Sequence, residues 1–586
     1  MKFERIYIMN GTHFERQVGS YKLSSRLFIY ILLVILLYIS IGQLTHSIRV
    51  GYIKDWTVHV YRLADAMLFA LPIFFCRKKV VVISYLLLVN IYLLSVIWYF
   101  RTYATIMPMS SYLMIDNLDG LGPSIIHSIR SKDFFIILPS LCFILYYILI
   151  NRFIVKKGRT IIYSFVISVL ILAGIVTSAY WPNKPTFYDK PLYNFTLEQV
   201  RSFKEFGFIH FWIYQIHFYQ GVTQGEKEEA KAFMADVNNR SNLVDCDSLN
   251  SRKNLIILLV ESLQSWPIKL TVQGVEVMPR TNQFLNQPET VLFPKVMPQV
   301  KDGRSSDAQL LLNTGLLPLN VGATSGLCSA NNYPSLPLAL KSKGYTSASI
   351  ICDKKEYWNQ EAMTLAYHFD KLYDNMMGNE GVEKADEHLF ENAILKLREL
   401  VSPFYAQIVT LSGHAPYLKP LMDTPLKSLD LADDVKNYLI AMQYFDTCLG
   451  QFIDKLKEDS LYNNSIIVIT GDHEAMPYNR YENREDSKAE DFFVPFIILN
   501  SPLSTKHSDK VIGQVDIYPS LLHAMGCCDY SFQGLGESVF GDNISDYAVY
   551  RTGIAAGGVN LPDSVKQYRT KLWKISDILL RMDYFR

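Results

Sequence analysis

The distribution of apolar residues limits this chain more than any other feature. Five runs that approach or exceed the length needed to cross a bilayer fall before residue 182, at 27–44, 57–76, 80–100, 134–150 and 160–181. They read as membrane helices, and they concentrate in one third of the chain an apolar excess that few purely soluble proteins carry. Orientation follows from the bases in the short loops. Lys2, Arg5, Arg16, Lys22 and Arg26 precede the first run, Arg77, Lys78 and Lys79 follow the second, and Arg152, Lys156, Lys157 and Arg159 follow the fourth. The alternate loops, 45–56 and 101–133, hold fewer, so the N-terminus is expected inside and everything after residue 182 outside the cytoplasmic membrane. A basic start that leads into a span and then further spans, with no small-residue cleavage site, argues against a cleaved leader. The second run carries Arg62 and Asp65 on one helix face. The plain reading is that Arg62 snorkels to the interface, and the alternative is a polar contact with a lipid headgroup or carrier.

Residues 182–250 read as a helical connector at the outer membrane surface, with helices over 196–219 and 226–237 and no strand signal. From Asn254 the texture changes. Apolar strand-like runs at 254–262, 347–353, 404–411, 465–473 and 493–500 alternate with helical patterns, of which the longest has apolar residues from Val435 to Leu456 at helical spacing. That alternation predicts an α/β domain with a largely parallel sheet sandwiched by helices. The organisation expected is a five-helix membrane domain over 1–181, the connector over 182–250, an exported catalytic domain over 251–545 and a C-terminal extension over 546–586. A net charge of +1 gives no bulk attraction to nucleic acid. Six of the eight cysteines (Cys246, Cys328, Cys352, Cys448, Cys527 and Cys528) fall in the exported part, where disulfides are permitted, with the pairing open and the adjacent Cys527 and Cys528 poor partners for each other.

The chemistry-bearing residues fall at strand ends, where ligands bind in open α/β sheets. The first strand ends in Glu261, the second in Asp353, the third is followed by His414, and the fourth ends in Asp472 and His473. The loop GRSSDAQLLLNTG (303–315) carries Ser305 and Ser306 before a helix expected to begin near Asp307. If the first and fourth strands are parallel neighbours, Glu261, Asp472 and His473 converge, and two carboxylates with an imidazole make a cation site with a vacancy for a hydroxyl oxygen. Ser305 can fill it, and metal coordination turns a weak hydroxyl into a nucleophile. Each residue has a duller use: a serine caps a helix, Glu261 ends a strand, and His414 sits in a turn.

The stretches VESLQSW (260–266), GRSSDAQ (303–309), DKKEYWNQEAM (353–363), GDHEAMP (471–477) and QVDIYPSLLHAMG (514–526) resemble the alkaline phosphatase and sulfatase superfamily, and within it the lipoteichoic acid synthase type of phosphoglycerol transferase. The resemblance implies one divalent cation, manganese first with zinc or magnesium as alternatives, bound by Glu261, Asp472, His473 and the nucleophile Ser305. It implies that Asp353, Trp358 and His414 line a headgroup pocket, with His414 a proton carrier. Two positions depart from that pattern: Gln360 stands where the family has a phosphate-binding arginine, and Ile351 where it has a histidine. Losing a guanidinium grip on phosphate leaves the donor open between phosphatidylglycerol and phosphatidylethanolamine. The implied partners are a membrane phospholipid donor and a glycan, lipid or polymer acceptor. Sulfatase chemistry is disfavoured because Ser305-Ser306-Asp307-Ala308-Gln309 lacks the Pro and Arg of the sulfatase signature. A non-catalytic binding protein on the same scaffold is the remaining alternative.

Overall fold

The computed structural model describes residues 27–48, 56–76, 78–103, 106–113, 126, 128–149, 159–180, 199–219, 221–241, 252–378, 384–415, 417, 420–475, 491–505, 507–542 and 544–586. They form two compact units, one built from the chain up to Met107 with Ile125–His217, the other from Pro108–Ser124 with Phe218–Arg586. Most of the bases that set the expected orientation, including Lys2 to Arg26, Arg77 and Arg152 to Lys157, lie outside the described residues.

Among the described residues of the first unit, four helical spans are long and apolar enough to cross a membrane: α1 (Leu27–Ser47), α2 with its 3-10 continuation (Thr57–Phe74), α3 (Lys79–Arg101) and α4 (Ser131–Leu149). A further helix, α5 (Arg159–Ser178), covers the fifth apolar run, but its apolar part, Phe165–Ser178, is shorter than a span. The helix α6 (Gln199–Tyr219) breaks at Gly207, whose φ of 75° and ψ of −166° divide it in two. Asp65 on α2 explains the break. Its carboxylate accepts the Phe208 and Ile209 amides at 2.9 and 3.0 Å, capping the second half of α6, and a Cβ at residue 207 would run into that carboxylate. Asp65 is therefore a structural acid, while Arg62, one turn away, takes no part in the cap.

The second unit holds the helix α7 (Gln224–Ser241) and the α/β domain. Its strands are β1 (Asn254–Val260), β2 (Thr271–Val272), β3 (Val275–Glu276), β4 (Val291–Met297), β5 (Thr346–Ile351), β6 (Lys371–Tyr373), β7 (Phe404–Val409), β8 (Ser465–Gly471), β9 (Val494–Leu499), β10 (Ile512–Gly513), β11 (Tyr547–Val549) and β12 (Ala555–Gly557). Eight of them make one sheet in the order β10-β4-β9-β8-β1-β7-β5-β6. Every pairing in it is parallel except those of β9, which runs antiparallel to β8 and β4. Burial on both faces accounts for the unbroken apolar runs of β1 and β8, every residue of which is buried. One face packs on α10 (Ala385–Arg398) and the long amphipathic α11 (Asp433–Glu458) through Leu389, Ala393, Leu449, Phe452 and Ile453, in a core shared with β1, β7 and β8.

β4 carries no sequence signal because Pro294 and Lys295 interrupt its apolar residues. It nonetheless pairs with β9 across a register shift between Phe293 and Val296, as a bulge allows. The segment read as a C-terminal extension packs into the domain. Its hairpin β11–β12 is followed by α13 (Asp563–Arg581), where buried Arg569 makes a bidentate pair with buried Asp516 at 2.5 and 2.8 Å. The outer side of α13 meets α7, with Lys571 and Lys574 on Glu229 and Tyr568 stacked on Phe233.

Candidate active site

Register decides the site. Val260 of β1 faces Gly471 of β8, so the residues that follow each strand, Glu261 and Asp472, emerge side by side. The turn is locked by Asp472 N–H donating to the Val260 carbonyl (3.1 Å) and Ser262 N–H donating to Asp472 Oδ1 (2.8 Å). Glu261 N–H donates to Thr410 Oγ1 at the end of β7 (3.0 Å), and Ser262 Oγ donates to Glu261 Oε1 (2.9 Å).

One ligand atom from each of Glu261, Asp472 and His473 lies within 4.8 Å of the others, and all three residues are buried. His473 Nε2 is 3.5 Å from Glu261 Oε1 and 3.4 Å from Asp472 Oδ2. Ser305 joins them, its Oγ 3.3 Å from Glu261 Oε2 and 3.4 Å from His473 Nε2. The helix α8 (Ser305–Thr314) begins at Ser305 itself, two residues earlier than its sequence suggests. Neither serine caps it: Ser306 Oγ donates to the Gly303 carbonyl (2.7 Å), and Ser305 is only partly buried among buried neighbours.

The loop before the nucleophile is held from below. Asp307 Oδ2 accepts the Lys301 and Gly303 amides, each at 2.9 Å, and Arg304, preceding Ser305, adopts a φ of 46° and ψ of −117°, a conformation unfavourable for a residue with a Cβ. The Arg304 side chain is fixed as well. Its Nη1 donates to Glu474 Oε1 (2.9 Å) and its Nη2 lies 3.1 Å from His473 Nδ1. Glu474 also accepts from Arg551 Nη2 (2.6 Å) and Tyr550 OH (2.9 Å). Burial would raise the Glu474 carboxyl, but the Arg551 and Arg304 guanidiniums hold it well below the usual range. Sequence reasoning passed over this trio. Arg304 and Glu474 adjoin residues singled out for chemistry, whereas Arg551 lies in the segment read as an extension, and nothing in the spacing couples residue 551 to residue 474.

The electrostatics favour a bound cation. Burial, reinforced by the charge of Glu261, pushes Asp472 up to about 6 against the lowering effects of His473 and Ser305. Burial and the neighbouring Arg304 lower His473 to about 4, so its imidazole is neutral at ordinary pH. The Glu474 carbonyl lies 3.0 Å from Nδ1, and a ring proton held on that side gives the tautomer a cation needs, with the Nε2 lone pair facing Ser305, Glu261 and Asp472. Asp472 Oδ2 is buried and accepts no hydrogen bond of good geometry among the described residues. An orphaned carboxylate oxygen beside a second carboxylate and an imidazole lone pair is costly unless a cation fills the space between them. The donor set fits manganese, zinc or magnesium.

The remaining expected residues lie at neighbouring strand ends. Asp353 follows β5, and burial raises its carboxyl against the opposing charge of His414. His414 follows β7, next to Gly413, which packs on the Glu261 backbone. Trp358 and Asn359 both have positive φ (50° and 56°), and Asn359 Nδ2 donates to the carbonyl of Ser325, whose hydroxyl lies 3.2 Å from Ser306 Oγ. Gln360 opens the helix α9 (Gln360–Ala366) and is 7% exposed. Cys528 is disulfide-bonded to a partner outside the described residues, and Cys328, Cys352, Cys448 and Cys527 are free thiols.

The sulfatase family model matches residues 253–527, which contain all of these ligands. Lipoteichoic acid synthase 2 of Bacillus subtilis is 30% identical over 347 residues, 56% of this chain and 53% of that protein. A lipoteichoic acid synthase of Staphylococcus saprophyticus is 24% identical over 527 residues, 83% of this chain and 79% of that protein. The chain carries a sulfatase-family domain and is similar to lipoteichoic acid synthases. Lipoteichoic acid synthase-like chains are also found among solved structures: that of LtaP from Listeria monocytogenes aligns with a TM-score of 0.48 at 22% identity, over 58% of this chain and 97% of that one. The chain spans 53–60% of the length of three Bacillus subtilis relatives that it matches.

Proposed function

We propose that the chain is a membrane-bound, metal-dependent phosphotransferase that moves the phosphoglycerol headgroup of phosphatidylglycerol to a hydroxyl on a glycan, lipid or polymer. The observation that carries this reading is the position of Ser305 Oγ, 3.3 Å from Glu261 Oε2 and 3.4 Å from His473 Nε2, at the mouth of a buried three-residue cation site. Glu261, Asp472, His473 and Ser305 hold one divalent cation, manganese by preference. When bound, it stabilises the alkoxide form of the Ser305 hydroxyl at neutral pH.

In the first half-reaction Ser305 Oγ forms a bond to the donor phosphorus, the bond from phosphorus to the diacylglycerol oxygen breaks, and His414 supplies the proton that oxygen takes. In the second the acceptor hydroxyl gives its proton back to His414, its oxygen bonds to phosphorus, and the phospho-Ser305 bond breaks. Asp353 and Trp358 orient the headgroup. In this reading the apolar N-terminal helices anchor the catalytic unit on the outer side of the cytoplasmic membrane, which keeps the site beside its lipid donor. The disulfide at Cys528 supports an oxidising compartment for the catalytic unit.

A second reading, phosphoethanolamine transfer from phosphatidylethanolamine, uses the same nucleophile and cation and is favoured by the neutral, buried Gln360. Purified full chain with manganese in mixed vesicles separates the two. Diacylglycerol release from labelled phosphatidylglycerol, abolished by Ser305→Ala, supports the first. Release from phosphatidylethanolamine alone replaces it with the second, and release from neither rejects both.

A further inference from the structure

The membrane unit holds a basic residue, Arg62, whose guanidinium is not fully partnered among the described residues. Arg62 lies on α2 about 8 Å along the helix from its start, within a helical span apolar enough to cross a membrane, where an ionisable side chain is a functional-site candidate. Its Nε is buried without a hydrogen-bond partner among the described residues, and no ion pair is found for it there. The nearby acid is already occupied. Both oxygens of Asp65 accept backbone amides of α6, so its charge faces Arg62 only across a helical turn.

The guanidinium instead sits in a cradle made by α1. Its carbon is 5.7 Å from the centre of the Tyr38 ring, and one turn further along α1 Gly42 leaves room for it, since a Cβ there would come within 3.3 Å of Arg62 Nη1. Tyr38 OH is 2.8 Å from His59 Nδ1, and His59 is itself exposed on the surface of the unit. Snorkelling accounts for an arginine near a helix end, but it requires neither the aromatic face, nor the glycine gap, nor a hydroxyl–imidazole pair beside them. A planar cation held on a ring, with an unfilled donor and neighbouring polar hydrogens, matches a phosphate oxyanion.

We propose that Arg62, with Tyr38 and His59, binds the phosphate of an anionic phospholipid headgroup at a site separate from Ser305. The site stands whether or not Ser305 turns that lipid over, because it is read from binding and not from turnover.

The test is photolabelling of the full chain in vesicles with phosphatidylglycerol bearing a diazirine near the headgroup, and mapping of the adducts by peptide mass spectrometry. Adducts are expected on the peptides containing Tyr38 and His59. They fall at least fivefold in Arg62→Gln, fall less in Arg62→Lys, which keeps the charge but not the planar fork, and are unchanged on peptides of the catalytic unit. Gly42→Leu, which fills the gap without touching the charge, gives the same loss and decides the matter if Arg62→Gln does not accumulate. Excess inorganic phosphate distinguishes the sources: loss of the adducts assigns the site to free phosphate, and their persistence assigns it to the lipid. Equal labelling of wild type and both loss variants, or equal labelling by a phosphatidylcholine analogue, overturns the proposal.

Discussion

Two buried aspartates, one in each unit, show how a structural acid differs from a ligand. Asp65 in the membrane unit spends both oxygens on the amides that begin the second half of α6. Asp472 in the α/β unit uses Oδ1 for the amides of Ser262 and His473, at 2.8 and 2.6 Å, and leaves Oδ2 bare beside Glu261 and the His473 lone pair. Burial alone does not separate them, since both are at most 1% exposed. The unspent oxygen does. A carboxylate fully paid in hydrogen bonds holds a fold together, whereas one with an oxygen left over is waiting for a cation.

That contrast is broken or sharpened by substitution on each side. The largest effect is expected at the nucleophile: Ser305→Ala lowers diacylglycerol release at least about 10³-fold while leaving the cation affinity of the remaining ligands measurable by calorimetry. Asp472→Asn comes next, weakening manganese binding by about 100-fold or more, because it removes one of the two carboxylate charges that attract the cation. Glu474→Gln acts through His473 by releasing Arg304, and is expected to cost about 10–100-fold in cation affinity. Asp65→Asn is the opposite control. It leaves manganese affinity unchanged and destabilises the membrane unit by about 1–3 kcal/mol, because one amide of α6 then faces an amide donor. A change in manganese affinity in Asp65→Asn would erase the distinction between the two acids.

The pH dependence carries the same logic. Asp472, raised to about 6, must lose its proton to bind a cation, whereas His473, lowered to about 4, is neutral throughout that range. Above pH 6 the site is ready. As pH falls below about 6 the proton competes with the cation, and affinity should drop about tenfold per unit. The rise in thermal midpoint produced by manganese therefore shrinks between pH 7 and pH 5 in wild type, whereas in Asp472→Asn it is smaller and loses the part of the pH dependence that Asp472 supplies.

The strands that carry the site were legible because β1 and β8 are nearly unbroken apolar runs, β5 and β7 are strand-like runs with only a few polar residues, all four lead into polar residues, and their adjacency follows from parallel pairing. Glu261, Asp472, His473 and Ser305 accordingly lie side by side at the strand ends. The second layer was not legible. Arg551 reaches Glu474 across 77 positions from a hairpin with no strand pattern of its own, and an ion pair has no periodicity. β4 was hidden by Pro294 and Lys295. The start of α8 was misplaced because Arg304 enters it from a positive φ, which no capping rule anticipates. The role of Asp65 depended on the break at Gly207, a long-range contact that helix-face spacing cannot express.

Anomalous diffraction from the full chain crystallised with manganese addresses the central claim most directly. The account predicts a single peak between Glu261, Asp472 and His473, with Ser305 Oγ within coordination distance of it. A peak elsewhere, or an ion at the three ligands with Ser305 Oγ turned away and out of reach, would contradict it.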